Sequence, residues 1–394
     1  MTICVVCDVL GQENNGTTIA AMNLIRSLRE KGHRVRVICP DRERSGEPDY
    51  FIVPTLSVGP LNGYVRKNGV VIARPSRKVL EAALEGVDHV HLMLPFFVGC
   101  AVLRLAKEKG ISVTAGFHCQ AENFSSHIFM KDNKLVNRLV YRVFYRYCYR
   151  YVDAVHYPSE FIRRVFEQYG GKTNAYVISN GVNRQFRPMP VQRPKEFDGK
   201  FVILFIGRFS KEKTHRVLID AAKKSRYTEQ LQLVFAGDGP LKNKLIRRSK
   251  GLKNPPIFRF FSRGDLVEMI NSADLYVHPA EIEIEAISCL EAISCGLVPV
   301  ISDSPRSATR FFALGERNLF PCNDSKALAD RIDYWLEHPE EKAACREAYL
   351  GYTRQFDFDC CMDRMEQMIL QTHQEKKEAV EHGKEDHLLR GCRT

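Results

Sequence analysis

Apolar residues fall into short unbroken runs, separated by longer stretches in which they recur every third or fourth position. Ile3–Val6 is one such run. After the polar loop Gly11-Gln-Glu-Asn-Asn-Gly16, residues Ala20, Ala21, Leu24, Ile25 and Leu28 repeat at helical spacing and stop at Lys31-Gly32. The same reading predicts strands at 35–38, 89–92, 112–115 and 154–157, and helices at 97–109, near 133–151 and at 159–169. Residues 188–200, with Pro188, Pro190 and Pro194 and little apolar content, read as a linker. A second alternation then predicts strands at 201–206, 231–236, 257–260, 275–277 and 298–301, with helices at 214–224, 241–249, 286–295 and from 325 to about 374. Strands alternating with helices imply parallel sheets covered on both faces. The expected fold class is α/β: two Rossmann-like, doubly wound domains, 1–187 and 201–374, facing a cleft, with 375–394 a disordered charged tail.

Composition narrows the class. In 394 residues, 44% hydrophobic and 27% charged side chains suit a soluble globular protein. One core seldom grows past roughly 250–300 residues, which favours two domains. There is no apolar run of membrane-spanning length, and the N-terminal run is too short and lacks the basic flank of an export signal. Thirteen cysteines are too dilute for a disulfide scaffold, so a reducing cytoplasm is the expected setting. Cys4 and Cys7, three apart on a strand, face opposite sides and suit neither zinc nor redox pairing. Cys360-Cys361 has no second pair at zinc-finger spacing.

Charge is uneven. Residues 1–187 carry 26 basic and 16 acidic side chains, whereas 188–394 are nearly balanced at 32 and 31. A basic first half meets something anionic. Nucleic acid, an anionic membrane surface and a phosphorylated substrate all satisfy that condition.

The candidate chemistry lies where strands end. No Gly-x-Gly-x-x-Gly, Walker loop or Asp-x-Asp occurs, so a dinucleotide fingerprint and a metal-held diphosphate are both unsupported. Instead, a strand ends at Gly207 and is followed by Arg208 and Lys213, a planar fork and a point charge that can hold a diphosphate or form a plain solvated loop. Farther on, His278-Pro-Ala-Glu-Ile-Glu-Ile-Glu-Ala-Ile-Ser-Cys-Leu-Glu291 runs from a strand end into a helix. Ionised Glu283 and Glu291 can accept from sugar hydroxyls. The helix start at Ala286 and Ile287 can receive phosphate. Glu281, Glu283 and Glu285 also read as an acidic first turn favoured by the helix dipole.

These residues carry a resemblance. Glu283-x7-Glu291, then Ala292 and Gly296-Leu-Val-Pro-Val300, resembles the signature of retaining glycosyltransferases of family 4, which have the GT-B fold. Gly207-Arg208 with Lys213, Gly237-Asp-Gly-Pro240, Asn180-Gly-Val182 and His118 fall in that family's order. The resemblance implies that Arg208 and Lys213 neutralise the donor diphosphate without metal. It further implies that Glu291 holds the nucleotide ribose, Glu283 the sugar hydroxyls and His118 the donor sugar, while Gly16 and Gly207 admit the phosphates closely. The chain departs from the family at Ile284-Glu285-Ala286, where Gly-Phe-Gly is usual. It departs again at Thr214 and Asn15, where glycine is common. The form around Glu283 is similar to the bacterial branch that glucosylates diacylglycerol.

Lys134, Arg138, Arg142, Arg146 and Arg150 recur every four residues on one predicted helix, with tyrosines beside the basic row and aliphatics elsewhere. Such a row suits an anionic bilayer surface, and it equally suits an ordinary solvated helix face. No nucleic-acid module accompanies it, so no nucleic-acid partner is expected. The reading that follows is a metal-independent, retaining hexosyltransferase, peripheral on the inner face of the cell membrane. It would move glucose from UDP-glucose to a lipid such as diacylglycerol, with the nucleotide sugar as substrate and no cofactor. A soluble or surface glycan acceptor is the alternative, and a non-catalytic nucleotide-sugar or nucleic-acid binder the third reading.

Overall fold

A computed structural model describes residues 1–8, 10, 16–55, 73–122 and 133–382. The chain forms two compact units, Met1–Ile178 together with the chain from Met362, and Ser179–Cys361.

The first unit holds strands β1 (Thr2–Val6), β2 (Arg34–Cys39), β3 (Tyr50–Ile52), β4 (His89–Leu92), β5 (Ser112–Gly116), β6 (Ala154–Tyr157) and β7 (Ala175–Val177). Its helices are α1 (Gly16–Glu30), α2 (Arg77–Ala83), α3 (Phe97–Glu108), α4 (Lys134–Tyr147) and α5 (Glu160–Tyr169). The sheet order is β3-β2-β1-β4-β5-β6-β7, and every pairing is parallel. Ile3, Cys4, Val5 and Val6 are fully buried, as a strand covered on both faces requires. Cys4 and Cys7 are buried packing thiols.

The second unit holds β8 (Phe201–Ile206), β9 (Leu231–Ala236), β10 (Ile257–Arg259), β11 (Leu275–His278), β12 (Pro299–Asp303) and β13 (Leu319–Pro321). Its helices are α6 (His215–Lys224), α7 (Lys242–Arg248), α8 (Arg263–Ser272), α9 (Ile287–Ser294), α10 (Ser325–Glu337) and α11 (Pro339–Tyr352). The order β10-β9-β8-β11-β12-β13 is again all parallel, with its switch point between β8 and β11. β8 shows why its run has no polar position. Val202, Leu204 and Ile206 enter one core, while Ile203 and Phe205 enter the core on the opposite face.

Two expectations about organisation change. Residues 188–200 are not a linker: Phe197 is buried, and Arg193 bonds Asp274 Oδ2 at 2.8 Å and the Lys200 carbonyl at 2.8 Å, so the segment packs on the second unit. The units instead divide at 178/179, not 187. The tail prediction also fails over 375–381, because α12 (Phe358–Glu381) continues to Glu381. Gln371–Glu375 and Gln374–Glu378 pairs at 2.8 Å support its last turns. Residues 383–394 lie outside the described residues. α12 is tied to the first unit by His33–Glu366 at 2.8 Å, Lys31–Glu366 at 2.9 Å and Arg364 to the Val177 carbonyl at 2.8 Å.

Candidate active site

In the second unit the site is built on the loops that follow β8, β9 and β11. The loop after β8 lies backbone to backbone against the loop after β9. Phe209 N–H donates to the Asp238 carbonyl at 2.9 Å, and Leu241 N–H donates to the Phe209 carbonyl at 3.0 Å. A Cβ on Gly237 would come within 2.1 Å of the Gly207 carbonyl oxygen, which explains Gly237-Asp-Gly-Pro240 as a packing motif. Arg208 and Lys213 project from this arrangement, both half-buried.

Lys213 Nζ forms an ion pair with Glu283 Oε1. The same oxygen receives His278 Nε2 at 3.0 Å, and His278 Nδ1 meets the Tyr276 hydroxyl at 2.9 Å. Burial pushes the Glu283 carboxyl up, but Lys213 and His278 outweigh it and hold its pKa at about 2. His278 is lowered by burial, with Glu283 opposing. The network therefore holds a fixed carboxylate whose Oε2 makes neither of these bonds.

The acidic-turn reading does not survive. Glu281, Glu283 and Glu285 precede α9 and are only 6%, 8% and 4% exposed, so each needs a partner rather than a dipole. Glu281 pairs with Arg306. Glu285 Oε2 accepts from the Asn180 backbone N–H at 3.2 Å and from its side-chain amide at 2.6 Å. Glu285 Oε1 is buried without a hydrogen-bond partner. Burial pushes the Glu285 carboxyl up to about 7, against the polar groups of Ser179 and Asn180. Asn180-Gly-Val182 is thereby joined to the glutamate loop.

Two of the departures from glycine fall on strained backbone. Ala286, which precedes Ile287 at the start of α9, has φ 65°, and Thr214, which precedes α6, has φ 44°. For non-glycine residues this left-handed conformation costs about 1–2 kcal/mol. Thr214 is held there by its hydroxyl, which donates to the Pro279 carbonyl. α9 itself is anchored by Leu290 and Ile293, both fully buried and each contributing roughly 1.5–3 kcal/mol. On its partly exposed face is Glu291, whose carboxyl burial pushes up to about 7, with Arg263 pulling the other way.

Gly16 and His118 belong to the first unit. Gly16 is the exposed first residue of α1, with open space where a Cβ would stand, and Asn15 before it lies outside the described residues. His118 follows β5. Its Nε2 is buried without a hydrogen-bond partner, and burial, with His156 and His91 adding to it, lowers its pKa well below the ordinary value.

On α4 the basic residues Lys134, Arg138, Arg142 and Arg146 are all exposed, as is Arg150 just beyond it. The expected placing of tyrosines and aliphatics is met by Tyr147 but reversed for Leu135, Leu139, Val143, Tyr141 and Tyr149. Leu135, Leu139, Val143 and Tyr147 are 77%, 62%, 41% and 56% exposed, whereas Tyr141, Phe144 and Tyr149 are buried. Tyr141 is drawn inward by its hydroxyl, which donates to Glu122 at 2.7 Å, and its ring stacks on Tyr169. Among the described residues, no helix is long and apolar enough to cross a membrane.

The sequence reading quoted His278 without giving it a role, took Glu285 only as part of an acidic turn and a departure from the family pattern, and missed Tyr276. The available signal was position. His278 ends a strand at the switch point, where side chains meet ligands or orient those that do.

Comparison with known proteins agrees in chain order. Residues 14–186 match the family model Glycosyltransferase Family 4, and residues 190–349 match Glycosyl transferases group 1. The chain is 26% identical over 318 residues to an alpha-monoglucosyldiacylglycerol synthase of Streptococcus pneumoniae, covering 77% of this chain and 71% of that one. It is 27% identical over 317 residues to a GDP-mannose-dependent alpha-mannosyltransferase of Mycolicibacterium smegmatis, covering 77% and 79%. Among solved structures, Anabaena HepE in complex with UDP and glucose superposes with a TM-score of 0.74 at 17% identity, over 94% of this chain and 100% of that one. Two parallel α/β units, each matching its own family model, make the chain a hexosyltransferase of the family 4 glycosyltransferases, on the GT-B fold.

Proposed function

We propose that this enzyme transfers glucose from UDP-glucose, with retention of configuration, to a membrane lipid such as diacylglycerol, working at the inner face of the cell membrane. The observation that carries the lipid reading is α4, where each turn exposes a cation beside an apolar side chain: Lys134 with Leu135, Arg138 with Leu139, Arg142 with Val143 and Arg146 with Tyr147. Cations attract anionic headgroups while the apolar row enters the acyl boundary, a combination that plain solvation does not require. The Streptococcus pneumoniae relative, named for a glucosyldiacylglycerol product, supports the same acceptor class.

In this reading Arg208 and Lys213 meet the donor diphosphate and stabilise it as leaving group, in place of a metal. Backbone N–H groups at Gly207 and at the Ala286-Ile287 start of α9 add to that, and Gly16, without a side chain, lets its loop approach the phosphates closely. Glu283 accepts from a hydroxyl of the transferred sugar, Glu291 accepts from the ribose, and His118 contacts the donor sugar. Lys213 already holds Glu283, so the lysine that meets the diphosphate also orients the carboxylate that meets the sugar.

The test is incubation with UDP-glucose and anionic liposomes containing diacylglycerol, followed by mass spectrometry of the lipids. A monohexosyl diacylglycerol is the expected product. Product only from GDP-mannose would overturn the donor, and transfer only to soluble glycans would overturn the acceptor.

A further inference from the structure

Beneath His118 lies a cluster of imidazoles that the proposed chemistry does not use. His91 lies on the neighbouring strand β4 and His156 on β6, and both are buried. The His118 and His156 rings meet edge-on with centroids 5.6 Å apart. Three ring nitrogens, His91 Nε2, His118 Nε2 and His156 Nδ1, are buried without a hydrogen-bond partner. The opposite nitrogens of the two flanking rings are fixed. His91 Nδ1 meets Thr114 Oγ1 at 2.9 Å, and His156 Nε2 donates to the Ile178 carbonyl at 2.7 Å. Since a carbonyl can only accept, neutral His156 carries its proton on Nε2 and keeps Nδ1 bare.

The backbone around His118 is equally constrained. Phe117 N–H donates to the His156 carbonyl at 2.8 Å, and the Tyr149 hydroxyl donates to the Gly116 carbonyl at 3.0 Å. A Cβ on Gly116 would stand 2.5 Å from His118 Nε2 and 3.5 Å from His91 Nε2. Glycine at 116 thus makes the space into which the His118 ring is turned.

We propose that His91 and His156 are positioning residues for His118: they fix its ring with Nε2 inward against Gly116 and leave Nδ1 as the nitrogen that meets the donor. This rests on the reading that His118 contacts the donor sugar. Burial and the neighbouring imidazoles also keep the ring neutral, able to share a hydrogen bond with a sugar hydroxyl without adding a charge. The groups facing the cluster are His89 and His91 on β4, His156 on β6, Tyr149 beside Gly116, and Arg364 of α12, which acts on His156.

Two variants separate positioning from folding. His91→Asn keeps a polar atom for Thr114 and removes Nε2, and His156→Gln keeps a donor for the Ile178 carbonyl and removes Nδ1. In the full chain, NMR titration of the His118 ring is expected to show its midpoint rising toward 6.5. The acid limb of kcat/KM for UDP-glucose should move up with it, and kcat should fall about tenfold at an unchanged fold. His118→Asn, which places a polar atom near Nδ1, is expected to retain more transfer than His118→Gln. An unmoved titration in both flanking variants, or better retention by His118→Gln, would overturn the positioning. Wild-type transfer by His118→Ala would instead overturn the donor reading, whatever the titration shows.

Discussion

Lys213 and Glu283, 70 residues apart in sequence, form a partly buried ion pair, and His278 bonds the same carboxylate oxygen. The lysine is therefore neutralised and held in place before any donor arrives. Breaking a buried pair strands the remaining charge at a cost of about 3–5 kcal/mol when solvent is fully excluded, and less here because Lys213 is partly exposed. Lys213→Ala and Glu283→Ala are each expected to reduce transfer by about 10²-fold or more and to lower the thermal midpoint. Steady-state kinetics with a melting curve checks both; wild-type rates would remove this pair from the site.

Glu285 gives a pH signature. Its folded pKa of about 7 lies above that of an unfolded glutamate near 4.3, so the folded state binds the extra proton. The group's contribution is full below about pH 4 and is lost as pH rises to about 7. Glu285→Gln keeps an acceptor for Asn180 and removes the titration. The variant's thermal midpoint should exceed wild type by a margin that widens from pH 4 to 7 and then stays constant.

His215 has the opposite sign. Both its ring nitrogens are buried without hydrogen-bond partners, the ring lies 4.5 Å from Phe205, and burial first, then Lys213, lowers its pKa to about 3. The unfolded chain takes up the proton below about pH 6.5, so this contribution is full above 6.5 and lost as pH falls toward 3. His215→Leu should lose less stability than wild type between pH 7 and 5. Fluorimetric melts over that range decide it, and equal slopes would contradict the assignment.

Ala286 occupies a left-handed conformation at the entrance to α9. Ala286→Gly should be tolerated, because relief of strain offsets the greater entropy of the unfolded glycine. Ala286→Val, β-branched at positive φ, should destabilise by about 2 kcal/mol or more and weaken UDP binding. Calorimetry on both variants compares them directly, and equal stability would be inconsistent with the backbone geometry.

The rows on α4 predict two separable terms. Reversing Arg142, Arg146 and Arg150 to glutamate should reduce co-sedimentation with anionic liposomes by about 10²-fold or more, at about 1 kcal/mol per cation near the surface. Leu135→Ser with Leu139→Ser should instead remove the part of binding that persists at high salt. Binding that survives the charge reversal would exclude α4 as the docking face.

Much of this protein is legible without tertiary structure, because its signals are local. The runs Ile3–Val6 in β1 and Phe201–Ile206 in β8 are continuous and apolar since both faces of each strand are covered, and Gly207, Lys213, Glu283 and Glu291 stand in a recognisable order. β3, β7 and β13 were not read from the sequence: each has three residues, too few to show a period, and the equally short β10 was read only as a brief apolar run at 257–260. The pairings inside the site required the fold. Lys213 follows β8 and Glu283 follows β11, and these strands are neighbours only because the sheet reverses its winding between them. Likewise, a four-residue repeat predicts a helix near 133–151, observed at Lys134–Tyr147, but not its phase. Tyr141 and Phe144 pack inward with Phe96, Phe117, Phe166 and Tyr169, and that packing turned Leu135, Leu139 and Val143 to the surface beside the cations. Sequence determined which elements form and which chemistry they carry; the burial of particular faces decided which side chains meet and which stay exposed, because that choice depends on neighbours far away in the chain.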